Sequence, residues 1–357
     1  MKKNDHNLYL SGSAPVDFSK NSFGEFNHPL LRSFEGKGFR VVNFEDAPVH
    51  VYINHKGVAP RRKSKESGIF YVLIRTEPIS VFPAQYQHRI EKKYDLVITT
   101  GLPESKHGKF INLAYPYTTL RNPNYPMQSN YGKLLDDTMM QSKLLDLEQW
   151  RNRKIFISLI AANKVSSQTE SNYALRRRFA KESEINDLMI YGGLWNESLK
   201  VKLHHRIGVG LHALRNGTIP NLKSLYGELF KKFKNYKGAP EDKQIIMRDS
   251  KFALVIENSN TFVSEKLFDA LVGGAIPIYF GPELANYGIV EDYLVIRHEG
   301  NLFELKSRLE KMSDSEILKR IRAIQEFVKS PSFITEWSSE KVFSKIATEI
   351  SESQLHP

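Results

Sequence analysis

The chain has 357 residues, 41% hydrophobic and 25% charged, which is enough length for two domains and shows no tract of the disordered or collagen-like kind. It contains no cysteine, which excludes disulfides, thiolate metal sites and a cysteine nucleophile, and fits a cytoplasmic setting. A formal charge of +11 favours anionic partners without choosing among phosphates, lipid headgroups and nucleic acid, while residues 1–20 lack a signal peptide's apolar core.

Strands are expected at 39–44, 49–54 and 70–75, the last an apolar, β-branched run ending at Glu77-Pro78. A helix at 85–93, strands at 96–99 and 110–114, and a helical stretch at 133–150 follow, with a domain boundary near residue 150. The second half repeats the alternation: strand 154–160, helix 172–181, strand 188–192, helix around 222–233, strand 252–256, helix 264–272 and strand 275–280. Strands alternating with helices predict an α/β protein whose parallel sheets are covered by helices. Three amphipathic helices, 301–311, 314–329 and 340–352, are expected to turn their apolar stripes to a core, not to a membrane. No run of about 18 apolar residues is present to span a bilayer, so any membrane contact is expected to be peripheral.

The basic residues cluster at Arg61-Arg62-Lys63, Arg176-Arg177-Arg178 and Lys231-Lys232-Phe233-Lys234. No zinc-finger, basic-zipper or RNA-recognition pattern accompanies them, so a nucleic-acid partner is not expected, and a solvated surface competes with a functional reading. His204, His205 and His212 lack a His-Glu-x-x-His pattern or a carboxylate partner, and no metal site is expected.

Residues 251–282 carry the most chemistry. A buried strand ends in Glu257-Asn258, a polar loop follows, and Ser264 is placed to cap a helix whose first turn holds Glu265 and Lys266. Such a helix N-terminus beyond a parallel strand is where α/β proteins bind diphosphates, because unpaired N–H groups and positive potential converge there. The same spacing also suits a plain cap with a surface Glu/Lys pair.

This stretch resembles the signature of the family 10 α-1,3/1,4-fucosyltransferases: Glu257-Asn258, then Val263-Ser264-Glu265-Lys266, Ala270, Ile276-Pro277-Ile278 and Gly281. The loop before Val263 is shorter than in many members, and Phe262 stands where a tyrosine is usual. Upstream, Leu175-Arg176, Phe179 and Ile190-Tyr191-Gly192 are similar to the family's arginine-bearing helix and following strand. By that alignment Arg176 matches the arginine that neutralises the donor diphosphate, with Arg177 and Arg178 as neighbouring registers. In the first half, residues 70–78 look like the family's strand that ends in a general-base glutamate, here Glu77, and Tyr94-Asp95 and Pro116-Tyr117 resemble the elements that follow; Glu-Pro stands here where many members have Glu-Ser-Pro, and Glu77 also suits a turn or cap.

The resemblance implies a GT-B architecture: two Rossmann-like domains facing a central cleft, 1–150 binding the acceptor and 151–357 the nucleotide sugar. It implies an inverting transferase moving fucose from GDP-fucose to an oligosaccharide or lipid-linked glycan, such as a lipopolysaccharide precursor. Glu77 would be the general base, and Arg176, Asn258, Phe262, Val263, Ser264, Glu265 and Lys266 the donor-binding set. No cofactor or essential divalent metal is expected. Another nucleotide sugar on the same scaffold, or a non-enzymatic binder of anionic polymers, stays open as an alternative.

Overall fold

A computed structural model of the protein describes residues 7–12, 29–42, 47–54, 68–101, 110–112, 141–168, 171–183, 188–215, 219, 225–226, 229–230 and 232–355. In chain order the elements begin with β1 (Asn7–Gly12), α1 (Pro29–Gly36), β2 (Arg40–Val41), β3 (Val49–Ile53), β4 (Phe70–Arg75), α2 (His88–Glu91), β5 (Leu96–Thr99) and β6 (Phe110–Asn112). They continue with α3 (Leu147–Arg151), β7 (Ile155–Ile160), α4 (Tyr173–Glu182), β8 (Met189–Tyr191), α5 (Leu199–Arg215), α6 (Lys243–Asp249), β9 (Ser250–Ile256), α7 (Glu265–Val272) and β10 (Ile276–Phe280). Four helices close the order: α8 (Leu302–Glu310), α9 (Asp314–Lys329), α10 (Pro331–Trp337) and α11 (Ser339–Leu355).

Two compact units result, Met1–Lys133 with Pro331–Pro357, and Leu134–Ser330. A single cut near residue 150 therefore does not describe the chain: the division falls at 134, and α10 and α11 belong with the first unit.

The first unit is a six-stranded sheet in the order β2-β1-β3-β4-β5-β6, with every pair parallel. Period-two alternation sorts its side chains. Leu8 and Leu10, Val49, Val51 and Ile53, Val72 and Ile74, and Leu96 and Ile98 share one core with Phe34 of α1 and with Val342, Phe343, Ile346, Ala347 and Ile350 of α11. That stripe, recurring at helical spacing, is why α11 docks on the sheet, as the expected core-facing stripe of 340–352 requires. The opposite face carries Tyr52, Tyr71, Leu73, Tyr94 and Val97, so β3 and β4 are covered on both sides, as parallel strands usually are.

The expected helix at 85–93 is broken. Gln87 is extended (φ −78°, ψ 129°), separating a 3₁₀ turn at Pro83–Tyr86 from α2. The expected strand at 39–44 pairs only at Arg40–Val41, and 43–46 lie outside the described residues.

The second unit has a four-stranded parallel sheet, β10-β9-β7-β8. α3 is fixed by a capping box between Asp146 and Gln149, and buried Trp150 meets Phe252 of β9 edge-on at 5.4 Å. α7 stops in a Schellman arrangement: Gly274 takes φ 68°, its N–H donates to Leu271 O, and Ala275 N–H donates to Ala270 O. No helix among the described residues is long and apolar enough to cross a membrane.

Candidate functional site

Strand order locates the crevice of the second unit. The chain leaves β7 for its outer neighbour β8, then crosses back past β7 to β9 and on to β10, so the order reverses between β7 and β9. Loops leaving the carboxyl ends of two such strands splay apart and open a ligand crevice. Here those loops begin at Ala161 and Glu257. They are stitched together farther out, where Asn172 N–H donates to Asn258 O (3.1 Å) and Asn172 Nδ2 donates to Asn260 Oδ1 (2.8 Å).

Glu257, fully buried, organises the β9 side. Its carboxylate accepts from Ser264 N–H (2.9 Å) and Ser264 Oγ–H (2.6 Å), and Lys266 Nζ lies 3.5 Å from Oε2. Ser264 also caps α7 by accepting from Lys266 N–H. The first-turn amides of α7 and the Lys266 ammonium, itself 18% exposed, therefore converge at the end of β9. Burial works to raise the Glu265 carboxyl, but the nearby Lys266 and Lys243 ammonium groups and its own backbone N–H outweigh it and hold that group below its ordinary value.

The three arginines of α4 do not form a solvated face. Arg176 is 3% exposed and donates through Nη2 to Ile256 O (2.7 Å) and Asn258 Oδ1 (2.7 Å), with its guanidinium 4.8 Å from the Tyr173 ring centre. Arg177 is buried as well and donates to Lys164 O, whereas Arg178 is exposed and donates to Gly300 O. Burial drives the Arg176 guanidinium below its ordinary range, against the pull of Tyr173, Glu257 and Glu265. Its Nε is buried and has no hydrogen-bond partner among the described residues. A buried N–H in that condition costs about 1–3 kcal/mol unless a ligand takes the bond.

The structure thus brings Arg176, Asn258, Ser264, Glu265 and Lys266 together, and sinks Phe262 and Val263 into the packing beneath the loop. Phe262 at 3% exposure and Val263 at 0% hold the loop by their side chains and offer little surface to a ligand.

Residues that sequence reasoning passed over also frame this end of the sheet. The buried Tyr279 hydroxyl has no partner among the described residues, and burial followed by the nearby Glu257 raises its phenol well above the ordinary range. A Cβ on Gly281 would lie 2.5 Å from that hydroxyl and 2.7 Å from Glu257 Cγ, so only glycine permits this approach. Arg297 stacks 4.7 Å from the Tyr279 ring and donates to Gly281 O and Pro282 O, fixing the turn. Tyr279 reads in sequence as part of an apolar strand, and nothing local links Arg297 to Gly281. A cavity of about 370 Å³ lies at the opposite, amino-terminal end of the central strands, where Arg153, Lys154, Arg248 and Asp249 precede β7 and β9, away from the crevice.

In the first unit, Glu77 follows the carboxyl end of β4. Its carbonyl accepts from Gln85 Nε2 (2.9 Å) and the Tyr86 hydroxyl (2.9 Å), and its side chain is half-buried. The preceding Thr76 is clamped by Asn54, whose Oδ1 accepts from Thr76 N–H and whose Nδ2 donates to Thr76 Oγ1. Glu91 is committed elsewhere, to a buried ion pair with Arg75 at 2.5 Å. Asp95 accepts from Tyr71 N–H, while Pro116 and Tyr117 lie outside the described residues.

No protein-family model matches the chain, and no curated protein matches it by sequence. Solved structures do resemble it in shape. An α1,3-fucosyltransferase with GDP superposes with a TM-score of 0.54 at 12% identity, over 100% of this chain and 92% of the other. A second α1,3-fucosyltransferase structure gives 0.50 at 12% identity over the same shares. Anabaena HepE in complex with UDP and glucose gives 0.50 at 9% identity, over 97% of this chain and 99% of that one. The likeness establishes the fold: two Rossmann-like α/β units of the GT-B glycosyltransferase type.

Proposed function

We propose that this chain is an inverting glycosyltransferase that moves fucose from GDP-fucose to a glycan hydroxyl. The observation that carries the reading is the buried Arg176, whose Nε–H has no partner among the described residues, at the switch point of a parallel sheet beside the Lys266-bearing N-terminus of α7. Two cations beside the positive end of a helix dipole around one crevice suit a diphosphate, since arginine's planar fork stays charged and meets two oxygens at once. Guanosine and fucose are favoured because the residues forming this crevice are those that resemble the family 10 signature, from Glu257 to Gly281.

The reaction is one displacement. The acceptor oxygen bonds to the anomeric carbon as the bond to the phosphate oxygen breaks, GDP leaves with the electron pair, and the acceptor's proton passes to Glu77. Arg176, Lys266 and the first-turn amides of α7 offset the charge growing on the departing diphosphate. Glu265, held ionised, accepts from a hydroxyl of the donor, and Asn258 keeps the Arg176 guanidinium in place. These cations do the electrostatic work that a divalent metal performs in other transferases, so turnover should survive a chelator.

Calorimetry with GDP and UDP, and turnover with GDP-fucose, GDP-mannose and UDP-glucose, tests the donor directly. Tight GDP binding with fucose transfer is expected. Binding of UDP with transfer of another sugar would replace fucose while keeping the phosphate site, an outcome that the HepE likeness makes the second reading. Absence of binding to either nucleotide would remove the site.

A further inference from the structure

Helix α5 is built inside out. On a surface helix of a soluble protein the apolar stripe faces the core and charges face water. Here Lys202 and Arg206, four apart, are buried at 6% and 2% exposure on the same inward side as Ala213. The outward side carries Ile207, Leu211 and Leu214 at i, i+4 and i+7, which are 42%, 50% and 59% exposed. Lys200 and His204 fall beside that row and are exposed too.

The segment that follows has the same character. Ile219 and Phe230 are 89% and 81% exposed. Between residues 199 and 237 the chain has seven lysines and two arginines but only one acid, Glu228. Its last part is pinned from within: Phe233 is buried 5.0 Å from the Trp195 ring, and its backbone N–H and C=O are both held by the Asn196 side chain. That pin leaves the flanking Lys232 and Lys234 exposed.

We infer that the outward face of α5, together with the basic tract ending at Lys237, docks on an anionic lipid bilayer. An exposed apolar row followed along the chain by a lysine-rich stretch, with one acid among nine basic residues from 199 to 237, fits a surface that is negative at the headgroups and apolar just below them. A second copy of the chain fits less well, since a two-fold contact through this face would set lysine tracts of one sign near each other. A nucleic acid offers phosphates but nothing for Ile207, Leu211 and Leu214 to bury against. The inference goes beyond the donor reading and does not rest on it.

The test is sedimentation of the full chain, without nucleotide, with vesicles of phosphatidylcholine alone or with one-third phosphatidylglycerol. The wild type should pellet with the anionic vesicles only, and added salt should release it. Leu211→Glu with Leu214→Glu, at positions already half exposed, should keep the wild-type melting midpoint and lose binding by at least about tenfold. Lys232→Glu with Lys234→Glu, which fills no core position, should do the same and guards against misfolding of the first pair. Wild-type protein left in the supernatant would overturn the inference, and so would both double variants binding as the wild type does. A wild-type dimer by ultracentrifugation that Leu211→Glu with Leu214→Glu dissociates, with no vesicle binding, would assign the face to a second copy instead.

Discussion

Replacing Arg176 by lysine keeps the positive charge at the crevice but removes the fork. In the wild type Nη2 makes two bonds of 2.7 Å, to Ile256 O and Asn258 Oδ1, from a side chain almost wholly buried. Each charge-assisted bond is worth about 1.5–3 kcal/mol, and one ammonium at that depth can replace at most one of them. The second unit should therefore lose about 1.5–3 kcal/mol, and its melting midpoint should fall by roughly 3–12 °C. The Nε–H offered to a phosphate oxygen has similar value, so GDP affinity should drop about 10- to 150-fold on top of the stability loss. Arg178→Lys is the control, because that side chain is 47% exposed and makes only a 3.2 Å bond to Gly300 O and a 3.8 Å contact with Glu182. It should leave the midpoint and GDP affinity close to wild type. Calorimetric titration below the melting onset of each variant separates binding from folding. A folded Arg176→Lys protein with wild-type GDP affinity would refute the reasoning, and a loss confined to Arg178→Lys would put the phosphate on the other side of α4.

Glu77→Gln should bind donor normally and transfer at least about a hundred times more slowly, the usual worth of a general base; a wild-type rate with the true acceptor would exclude Glu77 from that role. His205 lies where burial, then Lys164 and Arg206, hold its imidazole below the ordinary 6.5. The unfolded chain then takes up this proton at higher pH than the folded one, so stability present above about pH 6.5 is lost on acidification, and His205→Gln should flatten the melting midpoint between about pH 7 and 5. An unchanged slope in that variant would mean that other groups set the acid sensitivity. Gly192 has φ 115°, and a Cβ there would sit 2.5 Å from Ala161 O, so Gly192→Ala should cost about 1–3 kcal/mol in urea unfolding, and a neutral result would show that the loop yields freely.

The segment from β9 to β10 was legible because each local cue agreed with the fold. A buried apolar run, a serine cap and a Gly-Gly stop placed strand, helix and strand within two residues of where they lie. α5 escaped notice for the opposite reason: its cations point inward, its apolar row points outward, and Gly208 and Gly210 interrupt the pattern. Half of the expected helix around 222–233, at 222–224, 227–228 and 231, falls outside the described residues. β2, with two paired residues, is too short to show a period, whereas β1 does alternate, at Leu8 and Leu10, but over only two apolar positions. At the site, the residue types near Glu257 were readable from order alone, but the pairing of Arg176 with Asn258 spans 82 positions and the claim of Arg75 on Glu91 spans 16. Periodicity registers that Val342 and Ile346 seek a core, not which core they complete.

That last contact orders the birth of the molecule. The face of the first sheet holding Leu8, Val51 and Val72 is closed by α11, about 340 positions downstream of its first strand. Burial of large α11 side chains such as Phe343, Ile346 and Ile350 is worth about 1.5–3 kcal/mol each, and none of it is available while the ribosome is still making the middle of the chain. The second unit, continuous from Leu134 to Ser330, can complete its core first. The usual amino-terminal-first order of co-translational folding should thereby be reversed, with the early strands covered on that face by α1 alone until α11 is made.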